Sequence, residues 1–392
     1  MKNKKSGINT ICTHIGETPD EQFKGSVSPI YMASSYEFLN VDVKRYPRYF
    51  NTPNQEFVAK KIAALEHAEA AMVFSSGMAA ISTTLLAFLN AGDHIILQKD
   101  IYGGTRNLVE AQFDRYNIEY SFTNGLHVDD FRNCIQSNTK LVYLETPSNP
   151  LLKLVDIEAI ANLSKSNGLL SVIDNTFATP IIQKPIDFGI DIVLHSATKY
   201  FGGHSDISAG AVATKQEHID TIWDLAKNLG GNLSDFMVWM LERSMKTLAM
   251  RVNAQQKNAK KIAKILNKNE AIRQVYYPGL KSHPDYKLAK KQMKGFGAML
   301  SFDLEEGLNA EEFLNALQLI KPSMSLAGVE STMILPALTS HALLSPEERK
   351  AQGIGDGLIR FSVGLEEVDD LMDDINNALK LIGKHMSPVL QS

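Results

Sequence analysis

One short segment concentrates residue types that can do chemistry. Residues 195–203 read His-Ser-Ala-Thr-Lys-Tyr-Phe-Gly-Gly, so Ser196 and Thr198 precede Lys199, and two glycines follow soon after. Hydroxyl groups can hydrogen-bond phosphate oxygens, and a lysine whose pKa falls on partial desolvation can form a Schiff base. The alternative interpretation is a strand end with an exposed lysine and an ordinary glycine turn. This segment alone does not decide between the two.

A second segment places an acid at the end of an apolar run. Residues 171–176 read Ser-Val-Ile-Asp-Asn-Thr, which puts Asp174 at the predicted C-terminal end of a strand. Open α/β sheets bind ligands outside that edge, where a carboxylate can pair with a protonated pyridine nitrogen. The alternative is that Asp174 caps the next helix, as aspartate often does.

A third segment predicts a cradle for a phosphate. Small residues at 75–77 lead through Gly77 and Met78 into an apolar helical pattern. The N–H groups at a helix N-terminus favour an anion, and small residues allow the main chain to approach it. No Gly-Lys-Ser/Thr sequence follows, so this is not a Walker motif. The alternative is an ordinary capped helix start.

Three more segments carry residues that suit a flat, phosphorylated cofactor and a carboxylate substrate. Tyr102, just beyond an apolar strand, can stack on a ring, or it can be a core tyrosine before a turn. Arg48, in Tyr46-Pro47-Arg48, can bind phosphate through two hydrogen bonds, or it can be a surface charge. Arg360 lies inside an apolar strand, where it needs either a buried acid or a substrate carboxylate.

Together the six segments supply the parts that a pyridoxal phosphate (PLP) enzyme needs. They provide a lysine for a Schiff base, an acid for the pyridinium, a ring for stacking, a phosphate cradle and an arginine for a carboxylate. One cofactor accounts for all of them, whereas the structural alternatives require six coincidences. The sequence therefore predicts PLP as the cofactor.

The elements that must position these residues alternate between strands and helices. Near-continuous apolar runs predict strands buried on both faces, at 94–98, 141–145, 169–174, 190–195 and 209–214. Helical stretches between them predict βαβ units and a mostly parallel sheet. We predict three regions: an extended N-terminal arm (1–50), a PLP-binding α/β domain (51–248) and a smaller C-terminal α+β domain (249–392).

Composition excludes several classes of protein. The 392 residues are 44% hydrophobic and 21% charged, with a net charge of −4, so no basic footprint for nucleic acid is present. No stretch is long and apolar enough to span a bilayer, and residues 1–16 lack the apolar core of a signal peptide. The two cysteines, Cys12 and Cys134, predict neither a disulfide framework nor a metal site. We expect a globular, cytoplasmic enzyme with a small-molecule substrate.

The chain resembles the PLP-dependent enzymes of cysteine and methionine metabolism, the trans-sulfuration family. The resemblance runs from about residue 28 to residue 381. It is most specific at residues 76–78, 102–105, 145–150, 172–176, 195–200, 325–331 and 360–364. It implies the fold type I architecture and a homotetramer built as a dimer of dimers.

The resemblance also implies a role for each site residue. Lys199 would hold the cofactor and move protons, Asp174 would pair with the ring nitrogen, and Tyr102 would stack on the ring and act as an acid or base. The remaining cofactor-binding residues would contact phosphate: Gly77, Met78, Ser196 and Thr198, with Tyr46 and Arg48 reaching the neighbouring subunit's cofactor. The residues at the substrate would be Arg360 and Asn149, which hold its carboxylate, with Ser325 and Met324 nearby.

Departures from the family pattern bear on the reaction. Met324 stands where cystathionine γ-synthases and γ-lyases commonly have glutamate, and Gly104 stands where methionine γ-lyases usually have cysteine. Residues 51–54 read Asn-Thr-Pro-Asn instead of a form close to Asn-Pro-Thr, and the long insertions of many sulfhydrylases are absent. We predict cleavage of the C–S bond of cystathionine or a related sulfur amino acid, with β-elimination preferred. The alternatives are a cystathionine γ-synthase, an O-acylhomoserine sulfhydrylase, a methionine γ-lyase and a catalytically silent PLP-binding regulator.

Overall fold

The chain folds into two compact units. The computed structural model describes residues 6–342 and 345–384. The first unit comprises the described residues up to Glu145 together with Val155–Met250. The second comprises Thr146–Leu154 together with the described residues from Arg251 onward.

A seven-stranded sheet forms the framework of the first unit. Its strands are β1 (Ala70–Phe74), β2 (His94–Leu97), β3 (Glu119–Phe122), β4 (Thr139–Glu145), β5 (Leu170–Asp174), β6 (Ile192–His195) and β7 (Gly210–Thr214). Their order is β1-β7-β6-β5-β4-β2-β3. Only β7 runs against its neighbours, so the predicted α/β class with a mostly parallel sheet is confirmed.

The five strands expected from the sequence are buried on both faces. In β4, Leu141 and Tyr143 join one apolar cluster, while Val142 and Leu144 join another. Because successive side chains point to opposite faces of a sheet, the two clusters lie on its two sides. A strand covered on both sides needs apolar residues at every position, which explains the continuous runs.

Nine helices of the first unit pack around this sheet or precede it. They are α1 (Ile8–His14), α2 (Pro53–Glu66), α3 (Gly77–Phe88), α4 (Gly103–Gln112), α5 (Val128–Arg132), α6 (Ile157–Ser166), α7 (Thr179–Ile182), α8 (Gln216–Leu229) and α9 (Asp235–Met245). The sequence predicted no helix before residue 50, yet α1 forms there. Thr52 starts α2 with a capping box to Gln55, and Pro53 takes the first helical position, where its missing N–H costs nothing.

The second unit is a smaller α+β structure. Its strands are β8 (Ile272–Tyr276), β9 (Met299–Leu304), β10 (Lys321–Pro322), β11 (Thr332–Ile334) and β12 (Leu358–Ser362), in the order β10-β11-β12-β9-β8. Its helices are α10 (Leu248–Leu266), whose first three residues belong to the first unit, α11 (Tyr286–Gln292), α12 (Ala310–Ala316), α13 (Pro346–Gln352) and α14 (Val368–Lys384). Strand β12 pairs antiparallel with both β9 and β11, so its side chains lie in the middle of the sheet.

Within residues 6–342 and 345–384, no helix has the length and apolar character needed to cross a membrane. The same residues contain no group of three or more His, Cys, Asp or Glu side chains placed to hold a metal ion.

Candidate active site

The start of α3 forms a cradle with two main-chain donors available. Ser76 caps the helix by accepting a hydrogen bond from the Ala79 N–H at 3.0 Å, and the Ala80 N–H bonds to the Ser76 carbonyl. The N–H groups of Gly77 and Met78 have no acceptor within the helix, as is general for a first turn. Both can therefore donate to an anion, and the helix dipole adds to the attraction.

Ser196 lies directly against this helix start. A Cβ placed on Gly77 would be 2.9 Å from the Cβ and 3.0 Å from the Oγ of Ser196. Any side chain at position 77 would therefore fill the space between the two segments. The small cradle, with two N–H donors on one side and a hydroxyl on the other, fits the phosphate of PLP.

The turn that carries Lys199 is held by main-chain hydrogen bonds. The Lys199 N–H bonds to the Ser196 carbonyl, and the Gly203 N–H bonds to the Lys199 carbonyl. The Thr198 hydroxyl donates to the Ala209 carbonyl at 3.1 Å and accepts from the Ala209 N–H at 3.0 Å. Thr198 thus fixes the turn to the start of β7, and its single hydroxyl proton is already engaged there.

Asp174 ends β5 at the carboxyl edge of the sheet and is 7% exposed. Its Oδ1 accepts the Thr176 N–H at 2.9 Å, and the Thr176 hydroxyl accepts the Ser196 N–H at 2.8 Å. These bonds tie the Asp174 turn to the segment that leads to Lys199.

Burial raises the pKa of Asp174 above its usual value. The hydrogen bonds from Thr176 and the nearby charges of His195 and Lys199 act in the opposite direction without cancelling this effect. One more positive charge nearby would stabilise the ionised form of a carboxylate in this position. A protonated pyridine nitrogen supplies such a charge, so Asp174 fits the ring of PLP.

Tyr102 lies at the start of α4, beside the cradle. Its N–H donates to Glu145 Oε2 at 2.7 Å, which anchors the residue to the end of β4. A Cβ on Gly104 would lie 2.4 Å from Cε1 of the Tyr102 ring and 3.1 Å from the Met78 sulfur. The ring therefore rests over Gly104, next to Met78, and is 42% exposed.

Tyr46 and Arg48 lie on the surface of the first unit. The Tyr46 N–H donates to Asn51 Oδ1 at 2.9 Å, and the Arg48 guanidinium donates to the Lys227 carbonyl on α8. The guanidinium also lies 5.5 Å from the centre of the Tyr46 ring. Both side chains are exposed.

The expected substrate-binding residues form a separate group in the second unit. Arg360 on β12 is 4% exposed, and its guanidinium donates to Asn149 Oδ1 at 3.1 Å and to the Ser325 carbonyl at 2.8 Å. Both of these acceptors are neutral, and the two hydrogen bonds orient the guanidinium. Met324, the residue before Ser325, is 70% exposed.

Two acids contact residues near the expected cofactor site, but the sequence analysis did not predict them as site residues. Glu145 holds the main chain of Tyr102, and Glu66 at the end of α2 contacts His195. Glu145 stands in the Glu-Thr-Pro-Ser-Asn-Pro segment that the sequence shares with the family, which was a usable signal. Glu66 lies 129 residues from His195 along the chain, and no local pattern marks it.

Comparison with known proteins places this arrangement in a family. The family described as Cys/Met metabolism PLP-dependent enzyme matches residues 9–380. An L-methionine gamma-lyase of Fusobacterium nucleatum is 42% identical over 97% of this chain and 100% of its own length. A cystathionine beta-lyase of Lactococcus lactis is 42% identical over 96% of this chain and 99% of its own length. A crystal structure of cystathionine gamma-lyase from Lactobacillus plantarum, complexed with L-serine, superposes with a TM-score of 0.93, at 41% identity over 96% of this chain and 100% of that one. The chain therefore belongs to the PLP-dependent enzymes of cysteine and methionine metabolism.

Proposed function

We propose that this protein is a PLP-dependent carbon–sulfur lyase that cleaves cystathionine or a related sulfur amino acid. The observation that carries the proposal is the placement of Lys199 and Asp174 on one sheet edge, linked through Thr176 and Ser196 to the cradle at Gly77. In this proposal these groups hold and polarise PLP. Their conjunction also argues against a catalytically silent regulator, which does not require Lys199.

PLP, when bound, supplies a ring that stabilises negative charge at the Cα of an amino acid. In the proposed mechanism, Lys199 would hold the cofactor, and its amine would accept the proton from Cα of the substrate. Asp174 would pair with the protonated ring nitrogen. Positioned acid–base groups of this kind contribute about 10²–10⁴-fold each.

Arg360 binds the substrate carboxylate in this proposal. Asn149 and Ser325 fix the direction of its guanidinium, so the carboxylate in turn fixes the orientation of the Cα–H bond. Tyr102 carries a phenol close to the cradle and donates a proton to the departing sulfur. After elimination, water hydrolyses the remaining amino-acid fragment to an oxo acid and ammonia.

Met324 favours β-elimination in this proposal. The side chain is exposed and uncharged, so it offers no partner for the ammonium group at the far end of cystathionine. β-Elimination also requires no proton removal from Cβ. We therefore expect more pyruvate and homocysteine than 2-oxobutyrate and cysteine.

A methionine γ-lyase is the second candidate, because relatives with that name are as similar to this chain as the cystathionine lyases. The test is to incubate the holoenzyme separately with cystathionine, cysteine, methionine and homocysteine and to quantify pyruvate and 2-oxobutyrate. Pyruvate from cystathionine supports the proposal. Predominant 2-oxobutyrate from methionine, with slow turnover of cystathionine, replaces it with the second candidate. Formation of cystathionine from cysteine and an acylated homoserine, without cleavage, contradicts both.

The same proposal includes a homo-oligomer. The exposed positions of Tyr46 and Arg48, away from the hydrogen bonds that join Asp174 to Ser196, support a site completed by a neighbouring subunit. We propose the dimer of dimers that the family resemblance implies.

A further inference from the structure

A buried glutamate–histidine pair lies behind the site and has no role in the mechanism above. His195 Nε2 is 2.5 Å from Glu66 Oε1, and the side chains of these residues are 3% and 0% exposed. Glu66 is the last residue of α2, and His195 is the last residue of β6. The His195 ring also lies 4.6 Å from the Phe201 ring, so its plane is held by packing as well.

The two carboxyl oxygens of Glu66 have different surroundings. Besides His195, the same Oε1 accepts the side-chain N–H of Asn175 at 2.9 Å. Oε1 therefore faces two nitrogen atoms, and the His195 nitrogen donates to it when that nitrogen carries a proton. Glu66 Oε2 is buried and has no hydrogen-bond partner among residues 6–342 and 345–384.

A buried, incompletely solvated carboxylate requires a positive charge nearby. His195 is in direct contact and can carry that charge when both its ring nitrogens are protonated. Lys184 donates a hydrogen bond to the carbonyl of Leu65, the residue before Glu66. The experiment below leaves Lys184 unchanged.

The pair is coupled to Asp174 by short connections. Asn175, which donates to Glu66, is the residue after Asp174, and its N–H bonds to the Leu194 carbonyl. Leu194 is directly opposite Asp174 in the sheet, and His195 follows it. His195 and Lys199 are the cations close enough to favour the charged form of Asp174. On the other side, the neutral phenol of Tyr143 is within electrostatic reach of both Asp174 and Glu145, and Glu145 lies opposite Asp174 in the sheet.

We propose that Glu66 holds a positive charge on His195, and that this buried pair keeps Asp174 ionised for a protonated pyridine nitrogen. The charges then alternate from Glu66 through His195 and Asp174 to the ring. Glu66 and His195 are positioning residues, since they act on the cofactor through Asp174. This inference rests on the role proposed for Asp174.

The test compares two ligands of the apoenzyme: PLP and an analogue in which carbon replaces the ring nitrogen. Equilibrium dialysis gives the dissociation constant of each, and their ratio measures the preference for a ring that can be charged. Glu66→Gln keeps the size of the side chain and removes its charge. It should reduce the preference for PLP by about tenfold, a magnitude within the range of coupling between close charges.

The matched control is Asp187→Asn. Asp187 pairs with His67, the residue after Glu66, at 2.8 Å, but the two side chains are 47% and 38% exposed. Removing this exposed charge should leave the preference unchanged. In addition, Glu66→Gln should have no further effect on the preference in an Asp174→Asn background.

Equal weakening of both ligands by Glu66→Gln overturns the proposal, because a purely structural role does not distinguish the ring nitrogen from carbon. If Glu66→Gln does not fold, His195→Gln is measured in the same way, and a retained preference overturns the proposal. The ¹⁵N chemical shifts of His195 in the wild-type protein provide a test without a variant, since a neutral ring at pH 7 also overturns it. A wild-type preference in Asp174→Asn shows instead that the role proposed for Asp174 is wrong.

Discussion

The two groups of site residues are held in different ways. In the first unit, the residues around the cradle lie at strand ends and helix starts, and their positions are set largely by main-chain hydrogen bonds, as at Lys199 and Ser196. In the second unit, Arg360 comes from the middle strand of the sheet, but the residues beside it belong to a loop. Ser325 and Ala327 in this loop adopt φ values of 75° and 67°, and Met324 is largely exposed.

Substitutions in the two groups should therefore have different consequences. The first group is proposed to bind the cofactor and comprises Gly77, Tyr102, Asp174, Ser196 and Lys199, here called the cofactor group. It is held by the sheet, so a substitution there should disturb the chemistry that every reaction of PLP requires. The loop at Met324 can exchange an exposed side chain without affecting core packing. We infer that the first group determines whether the enzyme works and that the second determines what it acts on. Four predictions test this contrast.

The largest effect is expected for Lys199→Ala. The same amine is proposed to hold the cofactor and to accept the α-proton, and acid–base catalysis alone contributes about 10²–10⁴-fold. Turnover of cystathionine should fall by about 10⁴-fold or more, measured as oxo-acid release. The cradle remains, so the variant should still bind PLP non-covalently. Lys215→Ala, on an exposed lysine, is the control and should be fully active. Near wild-type turnover in Lys199→Ala contradicts the proposed mechanism.

Gly77→Ala should act on the cofactor rather than on the chemistry. The new Cβ would lie 2.9 Å from the Cβ of Ser196, so the two walls of the cradle must move apart. Overpacking of this kind costs about 1–3 kcal/mol, which predicts a loss of PLP affinity of about tenfold or more. Equilibrium dialysis measures it, with Gly355→Ala as the control because nothing lies within 4 Å of a Cβ there. Unchanged affinity in Gly77→Ala would place the phosphate elsewhere.

Sequence could predict the residues of the cofactor group because each stands at the end of a strongly patterned element. Asp174 and His195 end strands that are apolar along most of their length, and Gly77 starts a helix with an N-cap serine. Strands β1 and β3 were not anticipated: β3 is half-buried or exposed and lies at the edge of the sheet, so its sequence lacks a continuous apolar run.

Contacts between distant segments could not be predicted in this way. Nothing near Glu66 indicates that it reaches His195, because the contact depends on how α2 packs against the end of β6. The engagement of the Thr198 hydroxyl with Ala209 is a second example, since it depends on the pairing of the turn with the start of β7. Sequence identifies the candidates for the chemistry, whereas tertiary packing determines which polar atoms remain available for a ligand.

Arg48→Ala tests whether the cofactor group is complete within one chain. If Arg48 serves the neighbouring subunit, mixing Arg48→Ala and Lys199→Ala chains in equal amounts produces dimers with one intact site. Random association then restores about one quarter of the wild-type sites. The measurement is oxo-acid release after the two variants are unfolded together and refolded. Activity equal to the average of the separately refolded variants, with assembly confirmed by sedimentation, contradicts a shared site.

Met324→Glu is expected to have the smallest effect on the total rate. It should instead change the ratio of the two oxo-acid products. The side chain at this position is exposed, so the substitution should not affect folding. A carboxylate there can pair with the far ammonium group of cystathionine, which the thioether cannot do. Because exposed charge pairs contribute about 0.2–1 kcal/mol, the ratio of 2-oxobutyrate to pyruvate should rise by about 1.4- to fivefold.

Met324→Gln separates charge from shape in this last experiment, because glutamine has the size of glutamate without its charge. If both variants change the product ratio equally, the effect comes from shape and not from pairing with the ammonium group. If neither changes it, the loop at residue 324 does not select the bond that is broken. In that case the substrate specificity would reside in Arg360 and Asn149 and not in the loop.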